Sequence, residues 1–374
     1  MPVHGYARAS AAFLGIAGEQ KVDTKTLMLL DLQLPNNTTA DEYLRKQSYQ
    51  NFNMITICTA IQHDCTIPTL RWYLQQCRSA TSEKEFEDTM EVYGCSTLFY
   101  AVAKNSVQAV QTLLEFGANP DSFACARIPL LAFAILQESY FRKNMSNVVK
   151  QLLAHGTNPR KIPEEMWNEY WNDIKIPLKR VTDFGTHWCS PSQYGDIAGA
   201  LHLTHRYALY RAAKLDRRTA RETQMASDHK ILNLFKIPYF MVGQLPAVRL
   251  VIETVFSHIT NHNPRPLVMV FAGPSGHGKT ELAEQLGDIL SIKHEKFACE
   301  KLQNSIDLLG GTNSWQRSQD GSEFNNFVAD NDGKRAVVIM DEFDKTTEEV
   351  RLSLLNMLDK GKRSSISSSL MQYH

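Results

Sequence analysis

Residues 273–280 read GPSGHGKT, and no other stretch constrains the fold as tightly. The pattern G-x-x-x-x-G-K-[ST], known as Walker A, describes a glycine loop whose backbone N–H groups can wrap a phosphate. The flanks agree with it. PLVMVFA (266–272) is a short apolar run between proline and glycine, which predicts a buried parallel strand. TELAEQLGDIL (280–290) puts Leu282, Leu286, Ile289 and Leu290 on one helical face. Strand, loop and helix in that order aim N–H groups and a helix N-terminus at an anion. The expected ligands are ATP and Mg²⁺. Their candidate contacts here are Gly273, Pro274, Ser275, Gly276, His277, Gly278, Lys279, Thr280 and Glu281. Lys279 is expected to reach the β- and γ-phosphates as a catalytic cation, and the Thr280 hydroxyl to ligate Mg²⁺.

A second run supports this reading. RAVVIMDE (335–342) is another short apolar strand, and it ends in two carboxylates. In a parallel sheet, the C-terminal end of a strand lies beside the phosphate site. Asp341 is expected to hold Mg²⁺, and Glu342 to act as general base on the attacking water.

Residues 237–362 resemble the ATPase core of a Clp-type AAA+ unfoldase, the class that includes the ankyrin-containing Clp disaggregases. The resemblance rests on MVGQLPAVRLVIETVF (241–256), FAGPSGHGKTELAEQL (271–286) and VVIMDEFDKTTEEVRLSLLNMLDKGK (337–362), and covers about a third of the chain. It implies that Val242, Gly243 and Gln244 face the nucleotide. It also implies that LLGGTNSWQRSQDGSEF (308–324) is a substrate-gripping pore loop with Trp315 at its aromatic position, although Ser314, Gln316 and Arg317 depart from the usual small or apolar neighbours. Clp-type cores continue into a sensor strand, an arginine finger, a fifth strand and a helical lid. Here RSSISSSLMQYH follows Lys362, without a strand or helix pattern. The expectation is therefore a C-terminally truncated core, from a shortened gene model or, alternatively, a shortened regulatory form. Each buried N–H or C=O left unpaired by a missing strand would cost about 1–3 kcal/mol.

TLFYAVAKNSVQAVQTLLEFGANP (97–120) and IPLLAFAILQESYFRKNMSNVVKQLLAHGTNP (128–159) share a helix, a turn and V-x-x-L-L-x-x-G-x-N-P. They resemble ankyrin repeats, with residues 54–77 as a weaker third copy. Gly117 and Gly156 stand 39 residues apart, against about 33 in that family. Apolar residues recur at helical spacing in both copies, and such units are stable only when stacked. The resemblance implies protein partners on a concave face. The predicted architecture is thus α + α/β: an N-terminal segment (1–50), ankyrin-type helical repeats (51–162), a helical connector (163–235) and an incomplete P-loop parallel α/β domain (236–374).

Residues 200–222 read as one helix with a basic side made by Arg206, Arg211, Lys214, Arg217, Arg218 and Arg221. Such a side is expected to be solvated or paired with acids, with a nucleic-acid or membrane surface as the alternative. His202, His205 and His229 show no ligand spacing with a carboxylate and read as structural. The formal net charge is +0, so no polyanionic partner is expected, and no nucleic acid. The seven cysteines are scattered, without a CxxC pair, which fits a reduced intracellular chain. No apolar stretch approaches membrane-spanning length. The N-terminus (1–20) reads as a plain disordered terminus rather than a secretory signal, with a mitochondrial transit peptide as the alternative, and the expected placement is intracellular and cytoplasmic, alternatively mitochondrial. The leading function is an ATP-binding, ATP-hydrolysing protein acting on polypeptides, with homo-oligomeric ring assembly in view. The alternative is a non-enzymatic ankyrin scaffold or regulatory partner with a vestigial nucleotide site.

Overall fold

Turns in the left-handed backbone region divide the first half of the chain into helix pairs. The computed structural model describes residues 29, 31–47, 53–80, 96–123, 128–172, 188–189, 191–215, 218–261, 265–290, 292–310 and 321–360. Helix α1 (Ala40–Lys46) precedes three pairs: α2 (Met54–Gln62) with α3 (Ile67–Ala80), α4 (Thr97–Ala103) with α5 (Val107–Glu115), and α6 (Leu130–Phe141) with α7 (Ser146–Ala154). Asp64 and Asn105 turn the first two pairs at φ 58° and 55°. Asp and Asn tolerate that region better than other non-glycine residues. Helices α5 and α7 end alike. Gly117 and Gly156 both sit at φ 95°, and the next N–H groups, of Ala118 and Thr157, donate to the Leu113 and Leu152 carbonyls at 3.1 and 3.2 Å. This is the Schellman closure, which favours glycine.

The pairs stack. Helix α4 lies between α2 and α6, and α5 lies between α3 and α7. Leu70, Leu74, Leu98, Leu113, Leu131 and Leu152 are buried in the resulting core, and the Phe99 and Phe133 rings meet with centroids 5.1 Å apart. Arg71 bridges α3 to Glu115 at the end of α5 at 2.7 Å. Such a stack buries apolar surface only between neighbours.

Helices α8 (Pro191–Ala200) and α9 (Leu203–Lys214) cover this stack, α8 against α6 and α9 against α7. Here the structure corrects the expected basic side. Helix α9 ends at Lys214, and Arg206 and Arg211 are buried. The Arg206 guanidinium donates to the Glu169 and Asn172 carbonyls, and Arg211 lies over the Tyr207 ring. A cation in an apolar setting must find acceptors or an aromatic face.

The chain divides into two compact units, Met1–Leu215 and Asp216–His374, so the boundary falls inside the stretch read as one connector. In the second unit, α10 (Ala220–Asp228) opens with a reciprocal Thr219–Glu222 capping box. Then come α11 (Ile237–Phe240), α12 (Leu245–Thr260), α13 (Lys279–Leu290), β1 (Lys293–Ala298), α14 (Ser305–Leu309), α15 (Glu323–Asp330), β2 (Ala336–Asp341) and α16 (Glu348–Lys360). Strands β1 and β2 run parallel, with Lys293 opposite Ala336 and Ala298 opposite Asp341. They are the whole sheet among the described residues.

The stretch 266–272 is not a paired strand, contrary to its sequence pattern. It keeps the alternation of one. Leu267, Met269 and Phe271 pack on the core formed by α12 and α13, while Val268 and Val270 are 58% and 85% exposed. An apolar run becomes a strand only where a neighbouring backbone accepts its ladder bonds, and none among the described residues does so.

Burial also sets the thiol chemistry. It pushes the Cys65 and Cys189 thiols up to about 12, with nearby carboxylates adding to the effect. Burial likewise pushes Cys77 and Cys299 up to about 11. The thiolate is the reactive form, and a pKa near 12 leaves only about one thiolate in 10⁴ at pH 8. Brief alkylation at pH 8 followed by peptide mass mapping should leave these four unlabelled in the folded chain and labelled in guanidinium. Complete labelling of the folded chain would contradict this burial.

Candidate nucleotide site

The site begins with backbone that only glycine adopts at low cost. Gly276 and Gly278 sit at φ 76° and 75°, which turns the loop back on itself ahead of α13. A β-carbon on Gly278 would lie 3.6 Å from the Met241 methyl group, so the loop passes closely under the 240–244 segment. That segment has its own left-handed turn, with Gly243 at φ 72° and Gln244 at φ 49° just before α12. Phe240, Met241, Val242 and Gln244 face Gly276, His277, Gly278 and Glu281 across an open pocket of about 310 Å³. This is the small end of the range for ligand pockets, about 300–1,000 Å³. The structure therefore brings Val242 and Gln244 to the glycine loop. It adds Phe240 and Met241, which the sequence reading did not single out; their signal was an apolar pair directly ahead of VGQ.

The cation of the loop is folded inward. Lys279 Nζ donates to the Gly273 and Pro274 carbonyls at 2.9 and 2.7 Å. His277 Nδ1 lies 3.0 Å from the Ser275 carbonyl. At the second residue of α13, the Thr280 hydroxyl donates to Asp341 Oδ1 at 3.4 Å, across 61 residues of sequence. Asp341 reaches that position because it is the last residue of β2. A hydroxyl and a carboxylate oxygen this close make a hard oxygen donor set, the kind Mg²⁺ takes alongside phosphate oxygens and water.

Glu342 leaves the strand at φ 54°, and its N–H donates to Asp341 Oδ1 at 3.1 Å. Its carboxylate accepts a 2.7 Å bond from Lys345, whose Nζ also lies 3.7 Å from Glu300. The Glu342 hydrogen bond, then the Glu342, Glu300 and Asp344 charges, hold the Lys345 ammonium above its usual range. All of these groups are solvent-exposed, so the pair contributes little to stability. Lys296 on β1 pairs with Glu284 at 2.7 Å, which raises its pKa, and the Asp341 charge adds to the shift. This second cation near the carboxylates also escaped the sequence reading. Trp315 and the tail 363–374 lie outside the described residues.

A different cluster stands in the first unit, where the histidines had read as structural. Glu138 on α6 approaches both His202 and His205. Burial, then the neighbouring His202, push His205 down to about 4, against the pull of Glu138 and the Ala200 carbonyl. The sequence showed no such partner because Glu138 belongs to a distant helix.

Residues 265–368 match the family model described as AAA domain (Cdc48 subfamily). The chain is 31% identical over 130 residues to a chaperone protein ClpB of Chlamydia pneumoniae, which covers 32% of this chain and 15% of that protein. It is 28% identical over 173 residues to an ATP-dependent protease ATP-binding subunit-like protein AmiB of Pseudomonas aeruginosa, covering 43% of each. The chain thus spans less than half the length of either relative. These matches make part of the second unit similar to AAA domains and to the ATP-binding parts of such proteins. No described helix is long and apolar enough to cross a membrane.

Proposed function

We propose that the second unit binds ATP·Mg²⁺ and hydrolyses it to drive work on polypeptides, and that the stacked helix pairs are ankyrin-type repeats that bind protein partners. The observation that carries the nucleotide reading is the meeting of three distant segments. The 240–244 segment and the glycine loop line one pocket, and Thr280, directly after that loop, stands 3.4 Å from Asp341. The purine lies against Phe240, Met241 and Val242, whose apolar atoms suit a flat ring face. The N–H groups of 276–280 and the Lys279 ammonium receive the phosphates, and Lys279 exchanges two loop carbonyls for phosphate oxygens. Thr280 and Asp341 supply the oxygens for Mg²⁺, which when bound neutralises charge on the β- and γ-phosphates. Glu342, once parted from Lys345, takes the proton from the attacking water.

The repeat reading is supported by the shared Schellman ends of α5 and α7 and by the serial stacking of the pairs. Its partners would be proteins. Ring assembly of several copies fits a Clp-like domain, since such domains complete their sites with a neighbour's residues. The buried free thiols fit a reducing, cytoplasmic setting.

The direct test is calorimetric titration of the full chain with ATP and, separately, adenosine, in Mg²⁺ buffer. Micromolar ATP binding is expected, with adenosine weaker by about 100-fold or more because it lacks the charge-assisted phosphate contacts. A folded chain that binds no ATP, or binds both equally, would overturn the reading.

A further inference from the structure

The second site on this chain is the Glu138–His202–His205 cluster. Glu138 lies near the end of α6, His202 caps the N-terminus of α9, and His205 sits one turn further on. Glu138 Oε1 is 2.8 Å from His202 Nε2, and Glu138 Oε2 is 3.4 Å from His205 Nε2. The two imidazoles stack with centroids 3.9 Å apart. One ligand atom from each of the three residues lies within 4.8 Å of the others. His205 is 0% exposed, and beyond the long 3.4 Å approach of Glu138 Oε2 and the pull of the Ala200 carbonyl neither of its ring nitrogens makes a well-formed hydrogen bond within the protein. Buried polar groups are normally satisfied, so a fully enclosed imidazole without such a bond is an anomaly that needs a partner.

We infer that Glu138, His202 and His205 form a divalent-metal site, best suited to Zn²⁺, that fastens α9 to α6. Two imidazole nitrogens and one carboxylate oxygen make a mixed N/O set that suits Zn²⁺, whereas Mg²⁺ and Ca²⁺ prefer oxygens alone. Tetrahedral zinc with bonds of about 2.0–2.2 Å places its ligand atoms roughly 3.3–3.5 Å apart. The 3.4 Å Glu138–His205 contact falls within that spacing and the 2.8 Å Glu138–His202 contact falls short of it, so modest side-chain pivots suffice. The ion would satisfy the His205 nitrogen and relieve the close approach of two imidazoles. His202 is partly exposed, which leaves a fourth position for water.

Two contacts compete with this use. Glu138 Oε2 also accepts the Met145 N–H at 2.9 Å, and His202 Nδ1 accepts the Thr204 N–H at 3.2 Å. A zinc-bound Nε2 leaves the proton on Nδ1, so the Thr204 bond must yield. The alternative is therefore a pure hydrogen-bond cluster, and the test separates the two.

The full chain is stripped with chelator and titrated with Zn²⁺ against a chromophoric competing chelator, as wild type, His202→Asn and Glu138→Gln. Asparagine is a strong N-cap, so His202→Asn removes the ligand and keeps the helix start; unchanged circular dichroism checks this. Asp341→Asn controls for zinc held at the nucleotide site. Wild type and Asp341→Asn should bind zinc about tenfold or more tightly than His202→Asn and Glu138→Gln, and zinc should raise the melting midpoint only in the first two. Equal zinc affinity in all four proteins would place the metal elsewhere, for example on cysteine. No binding by wild type would leave the cluster a hydrogen-bond network. Either result overturns the proposal, and neither depends on ATP binding.

Discussion

Lys279→Ala should lower ATP affinity by about 100-fold or more, with the fold intact. The ammonium is the cation within the loop itself, and its bonds to the Gly273 and Pro274 carbonyls hold it against that loop. Charge-assisted hydrogen bonds are worth about 1.5–3 kcal/mol each, and each 1.4 kcal/mol is about tenfold in affinity. Two lost phosphate contacts thus exceed two decades. Stability should hardly change, because the side chain is only half-buried and its partners are exposed loop carbonyls that water can satisfy. Lys279→Arg should not restore full affinity, since a planar fork does not replace a compact ammonium inside a tight loop. Titration of a fluorescent ATP analogue, with melting curves alongside, measures both effects. Unchanged affinity in Lys279→Ala would remove the glycine loop as the phosphate site.

Glu342→Gln should keep ATP·Mg²⁺ binding within about threefold and slow turnover by about 100-fold or more, the scale of a positioned general base. The amide keeps the size and hydrogen-bonding reach of the carboxylate but cannot take a proton from water. The left-handed backbone at 342 is no harder for glutamine than for glutamate. The Lys345 contact is an exposed pair, so weakening it costs little. Single-turnover release of phosphate is the measurement. Equal rates in variant and wild type would mean that another group activates the water. A joint loss of binding and rate would instead assign Glu342 to holding the nucleotide.

The order of legibility follows the range of the forces. Helix α13 and the glycine loop were readable because apolar spacing, glycine placement and the Lys-Thr pair are set within about a dozen residues. The turn chemistry at Gly117 and Gly156 was readable for the same reason, and so were the helix pairs around it. Strand β2 was readable as an apolar run ending in Asp341-Glu342. Residues 266–272 carried the same kind of pattern and did not become a strand. A strand is a bond to another backbone, and its own residues hold only half of that bond.

Polar burial followed the same division. Arg206 and Arg211 looked like a solvated face, because helical spacing gives the side on which a residue lies but not what covers that side. The 163–172 segment covers Arg206 with the Glu169 and Asn172 carbonyls. His202 and His205 read as structural, without a carboxylate partner, until α6 brought Glu138 to both of them. By itself the sequence determined the glycine loop, the helix pairs and the carboxylates at the strand end, since each is written in contiguous residues. The tertiary structure alone decided which cations were buried, which apolar run found a ladder, and which carboxylate met the histidines. Those outcomes depend on the low-dielectric contacts of residues far apart in the chain, and local periodicity does not encode them.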